Sequence, residues 1–505
     1  MSDLIRLSAI EMRRRIGARQ LSAVELLEAC LSRIEQTNPA VNAFTATCFD
    51  RARAEAREAD AAVREGRPLG LLHGLPIGIK DLEETAGLLT TYGSPIYRDN
   101  VPAKDNVLVN RLRDAGAVVV GKTNVPEMGA GANTRNDVWG ATGNPFDPAL
   151  NAGGSSGGSA AALAMDMVPL CSGSDTGGSL RIPAAKCGVV GMRTSPGLIP
   201  SERKPLGWTG ISVVGPMART VADARLQLAA TAGLHPADPL TYEVASNTFA
   251  SRPQDLSGLR IGYTEDFGVC EVDDDIRRVF REKIAAIAPR VGRCDRIETE
   301  MDGAHRSFDV VRAQNFVVSM RDAYRKDPRS LGPNSRANYE LGVSMTLEDV
   351  VAAHAVQTRI FRRFQQLFQD YDLILSPVTP VSPFPWAQLY LDSVNGKPLE
   401  NYYRWLSLTY VVTLATNPAL SLPCGRDHRG MPFGLQVIGG FREDALLLDR
   451  AEALEAAFVS DPVLARPIPD TERLLAAGVD LKSIVTHPPG SHEGPVSAQG
   501  RVSPV

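Results

Sequence analysis

Gly153-Gly154-Ser155-Ser156-Gly157-Gly158-Ser159, the apolar run Met167-Val168-Pro169-Leu170, and Gly173-Ser174-Asp175-Thr176-Gly177-Gly178-Ser179 follow one another in the middle of the chain. Small residues over 157–166 predict a helix, the apolar run a buried strand, the second glycine cluster a turn, and Arg181-Ile182-Pro183-Ala184-Ala185 the opening of a further helix. The same alternation spreads outward. Apolar, β-branched runs at 75–79, 117–120, 259–263 and 373–375 predict strands, with helices at 104–115, 219–232, 273–288, 306–325 and 347–369. Upstream, Ser8 with Glu11 and Ser22 with Glu25 match the S-x-x-E capping box and predict two amphipathic helices over 8–37. An Ala-rich helix over 49–65 stops at Gly66. Strands separated by helices imply an α/β fold: a single large domain with a mixed, mostly parallel β-sheet sandwiched between helices. We place that domain at 1–475, with the helices of 1–66 packed on it. Residues 233–257 read as an exposed connection, and the Pro/Gly/Ser-rich segment 476–505 as a disordered tail.

The 505 residues are 44% hydrophobic and 22% charged, enough apolar content for a large core. A formal net charge of −4 offers no basic surface for nucleic acid and no anchor for anionic lipid, so the expected partner is a small molecule. The chain has no run long and apolar enough to span a membrane, and its first residues lack the order of a signal peptide; a cytoplasmic address is the expectation. Seven scattered cysteines, with no C-x-x-C and no histidine cluster, suggest neither a disulfide framework nor a metal site.

Two serines on glycine-rich turns carry the chemistry. Ser179 ends a turn between a strand and a helix, the kind of place that exposes a nucleophile. The N–H groups of Thr176, Gly177, Gly178 and Ser179 are placed to converge on one point, as an oxyanion hole requires. Lys80 closes the strand-like run Gly74-Leu75-Pro76-Ile77-Gly78-Ile79 and precedes Asp81. Burial there disfavours its charged form, and to act as a base its pKa must fall from roughly 10.4 toward neutrality. The bland alternative is a structural lysine paired with Asp81 or Glu83.

Gly-Ile-Lys-Asp around Lys80 and the two serine clusters together resemble the amidase signature family of amidohydrolases. The 24 residues between Ser155 and Ser179 match as well, and the likeness runs over about 5–460. It takes in Gly121-Lys122-Thr123-Asn124 and Asn417-Pro418-Ala419-Leu420-Ser421-Leu422-Pro423. The resemblance implies Ser179 as nucleophile, Ser155 as a bridging serine on a cis peptide, and Lys80 as general base, without metal or cofactor. It also makes a homodimer plausible. Two departures stand out: Met192-Arg193-Thr194-Ser195 replaces the usual Leu-Lys-Pro-Thr, and Lys186 stands where phenylalanine is common. An exposed helix position is the simplest expectation for Lys186.

Competing motifs fail on context. Gly116 to Thr123 fits G-x-x-x-x-G-K-T, but its middle residues Ala-Val-Val-Val make a strand and not a phosphate-cradling loop. Gly153 to Gly157 fits G-x-S-x-G without a preceding strand. A serine–histidine–aspartate site would need His235, His305, His354 or His428, none of which lies in a Gly-framed or acidic motif. Candidate substrate contacts are Met128, Gly154, Arg181, Trp386, Tyr390 and Tyr410, with Arg181 either binding a substrate carboxylate or pairing with Asp175. The main expectation is cleavage of a carboxylic amide. The alternatives are the A-type subunit of a glutamine-dependent tRNA amidotransferase, a carbamate or ester hydrolase, and a catalytically silent scaffold on the same fold.

Overall fold

The structure, a computed structural model, describes residues 4–490. Eleven strands form one mixed sheet: β1 (Phe44–Thr47), β2 (Pro76–Lys80), β3 (Val118–Thr123), β4 (Leu170–Asp175), β5 (Val190–Arg193), β6 (Val213–Ala218), β7 (Arg260–Tyr263), β8 (Arg293–Arg296), β9 (Leu373–Pro377), β10 (Ala419–Arg426) and β11 (Pro432–Ile438). Their order is β1-β3-β2-β4-β6-β5-β10-β11-β9-β7-β8. Parallel pairs join β2 to β3 and β4, and β7 to β8 and β9. The middle of the sheet, from β4 through β6, β5 and β10 to β11, pairs antiparallel. Every residue of β2, β3, β6, β9 and β11 is buried. Successive strand residues point to opposite faces, so helices must cover both sides of the sheet.

The helices fall close to the expected places. In α1 (Ala9–Gly17) and α2 (Ala23–Val41) the N-caps form, Ser8 accepting from Glu11 N and Ser22 from Glu25 N. Then come α3 (Phe49–Arg64), α4 (Val107–Asp114), α5 (Gly157–Ala164), α6 (Arg181–Cys187), α7 (Val221–Thr231), α8 (Asp274–Ile287) and the long α9 (Ala304–Lys326). The strand expected at 167–170 begins instead at Leu170 and runs through Cys171-Ser172-Gly173-Ser174. These small polar residues have weak strand preference and pair because β2 and β6 flank them.

The segment assigned to a disordered tail is ordered through 490. Leu481 is buried against Ala141 and Trp386, Ala141 N donates to Leu481 O at 2.8 Å, and Gly490 N donates to Asp99 Oδ1. Val479 and Ile484 pack on the same cluster, which is apolar content enough to hold a short strap on the surface. The remainder of that expectation, 491–505, lies outside the described residues. No described helix is long and apolar enough to cross a membrane.

Candidate active site

Strands β2 and β4 lie side by side and parallel, and their C-terminal ends bring Lys80 next to the Gly173–Ser179 segment. Lys80 N donates to Ser172 Oγ at 2.9 Å, pinning the strand end. The Lys80 side-chain nitrogen reaches three oxygens: Ser155 Oγ at 2.8 Å, Ser174 Oγ at 2.9 Å and Ser174 O at 3.3 Å. The lysine is fully buried, and no carboxylate among the described residues forms a salt bridge with it. Burial pushes its pKa down to about 7, and Glu83 and Asp175 hold back part of the fall.

Around it lies more buried charge. Lys122 donates to Glu83 O and to Thr85 Oγ1, and burial lowers its pKa to about 8 against the pull of Asp81 and Glu83. Asp81 accepts from Thr91 N and Oγ1, and burial raises its carboxyl to about 6. Lys122 is the lysine of the G-x-x-x-x-G-K-T match; it sits inside β3 with its amine committed, so no phosphate loop exists there.

Ser155 follows a cis peptide bond from Gly154. Ser155 and Ser179 line one cavity of about 220 Å³, together with Ser174, Thr176, Gly177 and Met128. Their hydroxyls share the cavity without a hydrogen bond between them. The turn that carries Ser179 is tied down by Asp175. This fully buried carboxylate accepts from Gly178 N at 2.9 Å, Leu180 N at 3.2 Å, Arg181 Nε and Nη2, and Arg193 Nη1. Burial would raise its pKa, but the two guanidiniums more than offset that and hold the carboxyl well below the usual carboxylate range. Gly178 has φ +121°, and a Cβ there would collide with Thr409, so the turn requires glycine.

Several expectations change. The Gly178 N–H is taken by Asp175, which removes it from the oxyanion set; the N–H groups of Thr176, Gly177 and Ser179 have no acceptor among the described residues. Of its two expected roles Arg181 takes the pairing with Asp175: it is buried behind the turn, bonded also to Gln436, Thr409 and Thr413, and cannot meet substrate. Gly154 packs on the Ala132 backbone, Trp386 covers Leu481, and the Tyr390 ring lies against Tyr402. Tyr410 stacks on Phe308 and bonds to His305 and Arg404. Among the expected substrate contacts, Met128 alone is on the cavity lining.

Lys186 is not exposed but 1% accessible, its amine 3.1 Å from Asn151 Oδ1 and over the rings of Phe384 and Trp405. Arg193, the other departure, uses its fork to bind Asp175 O and the Ile211 and Gly210 carbonyls, joining the nucleophile turn to the loop at 210–211.

Sequence reasoning missed Ser174 as a partner of Lys80, although it lies within the second glycine cluster. It also missed part of the far wall of the cavity: Leu82, and on α9 Arg312, Asn315, Phe316, Ser319 and Met320. Its one available signal was the spacing of Arg312, Asn315, Phe316 and Ser319 on a single helical face. No histidine lines the cavity among the described residues.

The sheet, the glycine-framed serines and the buried lysine define the class, an α/β amidase. A sequence profile described as Amidase matches residues 25–448. The A-type subunit of the glutamyl-tRNA(Gln) amidotransferase of Acaryochloris marina is 35% identical over 464 residues, covering 86% of this chain and 95% of that protein. An acylamidase of Rhodococcus erythropolis is 34% identical over 473 residues, covering 89% and 95%. Among solved structures, a bacterial aryl acylamidase of the amidase signature family superposes with TM-score 0.83 at 25% identity, covering 94% of this chain and 99% of that one. The chain belongs to the amidase signature family.

Proposed function

We propose that the chain is a self-sufficient hydrolase of carboxylic amides, with Ser179 as nucleophile, Ser155 as relay and Lys80 as general base. The observation that carries this reading is the buried Lys80 amine, near neutral in pKa, hydrogen-bonded to Ser155 at the wall of the cavity that Ser179 shares. A neutral amine has two N–H donors and one lone pair. Donating to Ser174 O and Ser174 Oγ leaves the lone pair for the Ser155 hydroxyl proton. After the transfer, all three N–H groups of the ammonium meet the same three oxygens, so both protonation states are satisfied without rearrangement.

Rotation of the Ser179 side chain toward Ser155 closes the relay when substrate arrives; catalytic hydrogen bonds commonly tighten only in the complex. Ser179 Oγ then attacks the amide carbonyl carbon, its proton passes to Ser155, and the proton of Ser155 passes to Lys80. The N–H groups of Thr176, Gly177 and Ser179 receive the oxyanion. Collapse breaks the C–N bond, the leaving amine takes a proton back along the relay, and water hydrolyses the acyl-Ser179 ester by the same route.

A second reading rests on the 35% identity with the A-type chain of a glutamyl-tRNA(Gln) amidotransferase: the same site would release ammonia from glutamine for a partner-bound tRNA. The two separate experimentally. The purified chain is given aliphatic and aromatic amides, with esters and carbamates alongside, and release of ammonia or amine is measured. Turnover without partner proteins supports the first reading, and strict dependence on added partners the second. Labelling of Ser179 by a fluorophosphonate, lost in Ser179→Ala, tests the nucleophile and the silent-scaffold alternative together.

A further inference from the structure

Arg312 is 7% accessible and lines the cavity that holds Ser155 and Ser179. No carboxylate among the described residues pairs with it. Its Nη1 donates to Asn338 Oδ1 and its Nη2 to the Tyr402 hydroxyl at 2.5 Å, both neutral acceptors. The rings of Tyr403 and Phe316 lie 4.5 and 4.6 Å from the guanidinium carbon, which fixes the plane of the group. Two of its five N–H donors are spent, leaving three. The nearby carboxylate Asp309 is committed to Arg404 and the Tyr403 hydroxyl.

Asn315 stands one helical turn along α9 on the same lining, and its Nδ2 is buried without any hydrogen-bond partner. A buried donor left unmade is costly, and a buried cation without an anion more so. Lys204, the second cation on this lining, lies 3.3 Å from Asp238, and no aspartate or glutamate among the described residues faces the cavity.

We infer that the substrate is an amide bearing a carboxylate, whose oxygens complete Arg312 and Asn315 Nδ2 while its carbonyl meets Ser179. The inference rests on the amide-hydrolase reading above and assigns to Arg312 the carboxylate-binding task that the buried Arg181 cannot perform. A planar guanidinium with a neighbouring amide donor suits the two oxygens of a carboxylate.

The test uses p-nitroanilides of malonic, succinic, glutaric and adipic half-acids against neutral acyl anilides of matched length. A second series carries the carboxylate on the amine side, as amides of 4-aminobenzoate. In the wild-type chain, kcat/KM for the best anionic member of either series should exceed that of its neutral match by about 100-fold. Arg312→Met should remove that preference mainly through KM, Arg312→Lys should keep part of it, and Asn315→Leu should lower it about tenfold. Fluorophosphonate labelling of Ser179 should be unchanged in all three. Equal rates on anionic and neutral amides by a wild-type chain that labels normally overturn the inference and leave the hydrolase reading standing; loss of labelling in the wild type strikes that reading instead. A uniform loss on every substrate in Arg312→Met, with a lowered Tm, makes Arg312 structural and overturns the inference. Should Arg312→Met not fold, competition on the wild type decides: pentanoate inhibiting where 1-pentanol does not supports carboxylate binding, and equal inhibition refutes it.

Discussion

Lys80 and Lys186 make a natural pair. Both are fully buried, neither is paired with a carboxylate among the described residues, and burial pushes both toward a pKa of about 7. Their surroundings differ. Lys80 ends a strand among three serine oxygens and next to a cavity, whereas Lys186 is capped by Asn151 and walled by Phe384 and Trp405. A depressed pKa is therefore only half of a general base. The other half is a proton donor within reach and a path to substrate, and the strand end supplies both while the helix α6 supplies neither.

The sharpest way to break the comparison is at the groups Lys80 serves. Ser179→Ala should cut kcat/KM by at least about 10⁴-fold, and Lys80→Met by about 10³-fold, with circular dichroism unchanged. If Lys80→Met is active and Lys186→Met is not, the roles are reversed. Next comes pH. On the proposed reading, in which Lys80 acts as the neutral base, kcat/KM should fall below about pH 7 and level off above it, and Lys186→Met should leave that profile in place. A profile that moves with Lys186 would tie the second lysine to catalysis.

Ser174→Ala removes one acceptor of the charged amine. It should cost about tenfold in rate and shift the acid-side midpoint to lower pH, since the ammonium loses stabilisation. The smallest effect on rate belongs to Lys186→Met, less than about threefold, because its contacts lie off the cavity lining. That variant should nevertheless report on stability. Folded Lys186 releases its proton near 7 and unfolded lysine near 10.5, so the unfolded chain binds more protons across that window and the wild type gains stability as pH rises through it. The advantage of Lys186→Met in unfolding free energy, read from denaturant titrations at fixed pH, should be full below pH 7 and should shrink toward 10.5, by at most about 1.4 kcal/mol per pH unit.

What the sequence made legible follows locality. Capping boxes at Ser8 and Ser22 and the glycine clusters are written within a few residues, and they announced α1, α2 and the serine turns. Strand β4 hid its extent because Cys-Ser-Gly-Ser pairs only when neighbours are present. The antiparallel pairings at the sheet centre arise from chain crossings that an alternation of elements does not record. The cavity wall on α9 meets Ser179 through tertiary packing alone, so the helical spacing of Arg312 and Asn315 did not say what that face would meet. Trp386 and Tyr410 misled because large aromatic side chains are recruited to cores more often than to ligands. Lys186 misled because a lysine is rarely buried without an acid.

Asp175 has one more consequence. The carboxylate that moors the Ser179 turn keeps its charge far into acid, while Lys80 takes up a proton near neutrality. Mild acidification thus silences the amine and spares the mooring. Activity lost at about pH 5 should return in full on neutralisation, with no lag for the loop to rebuild.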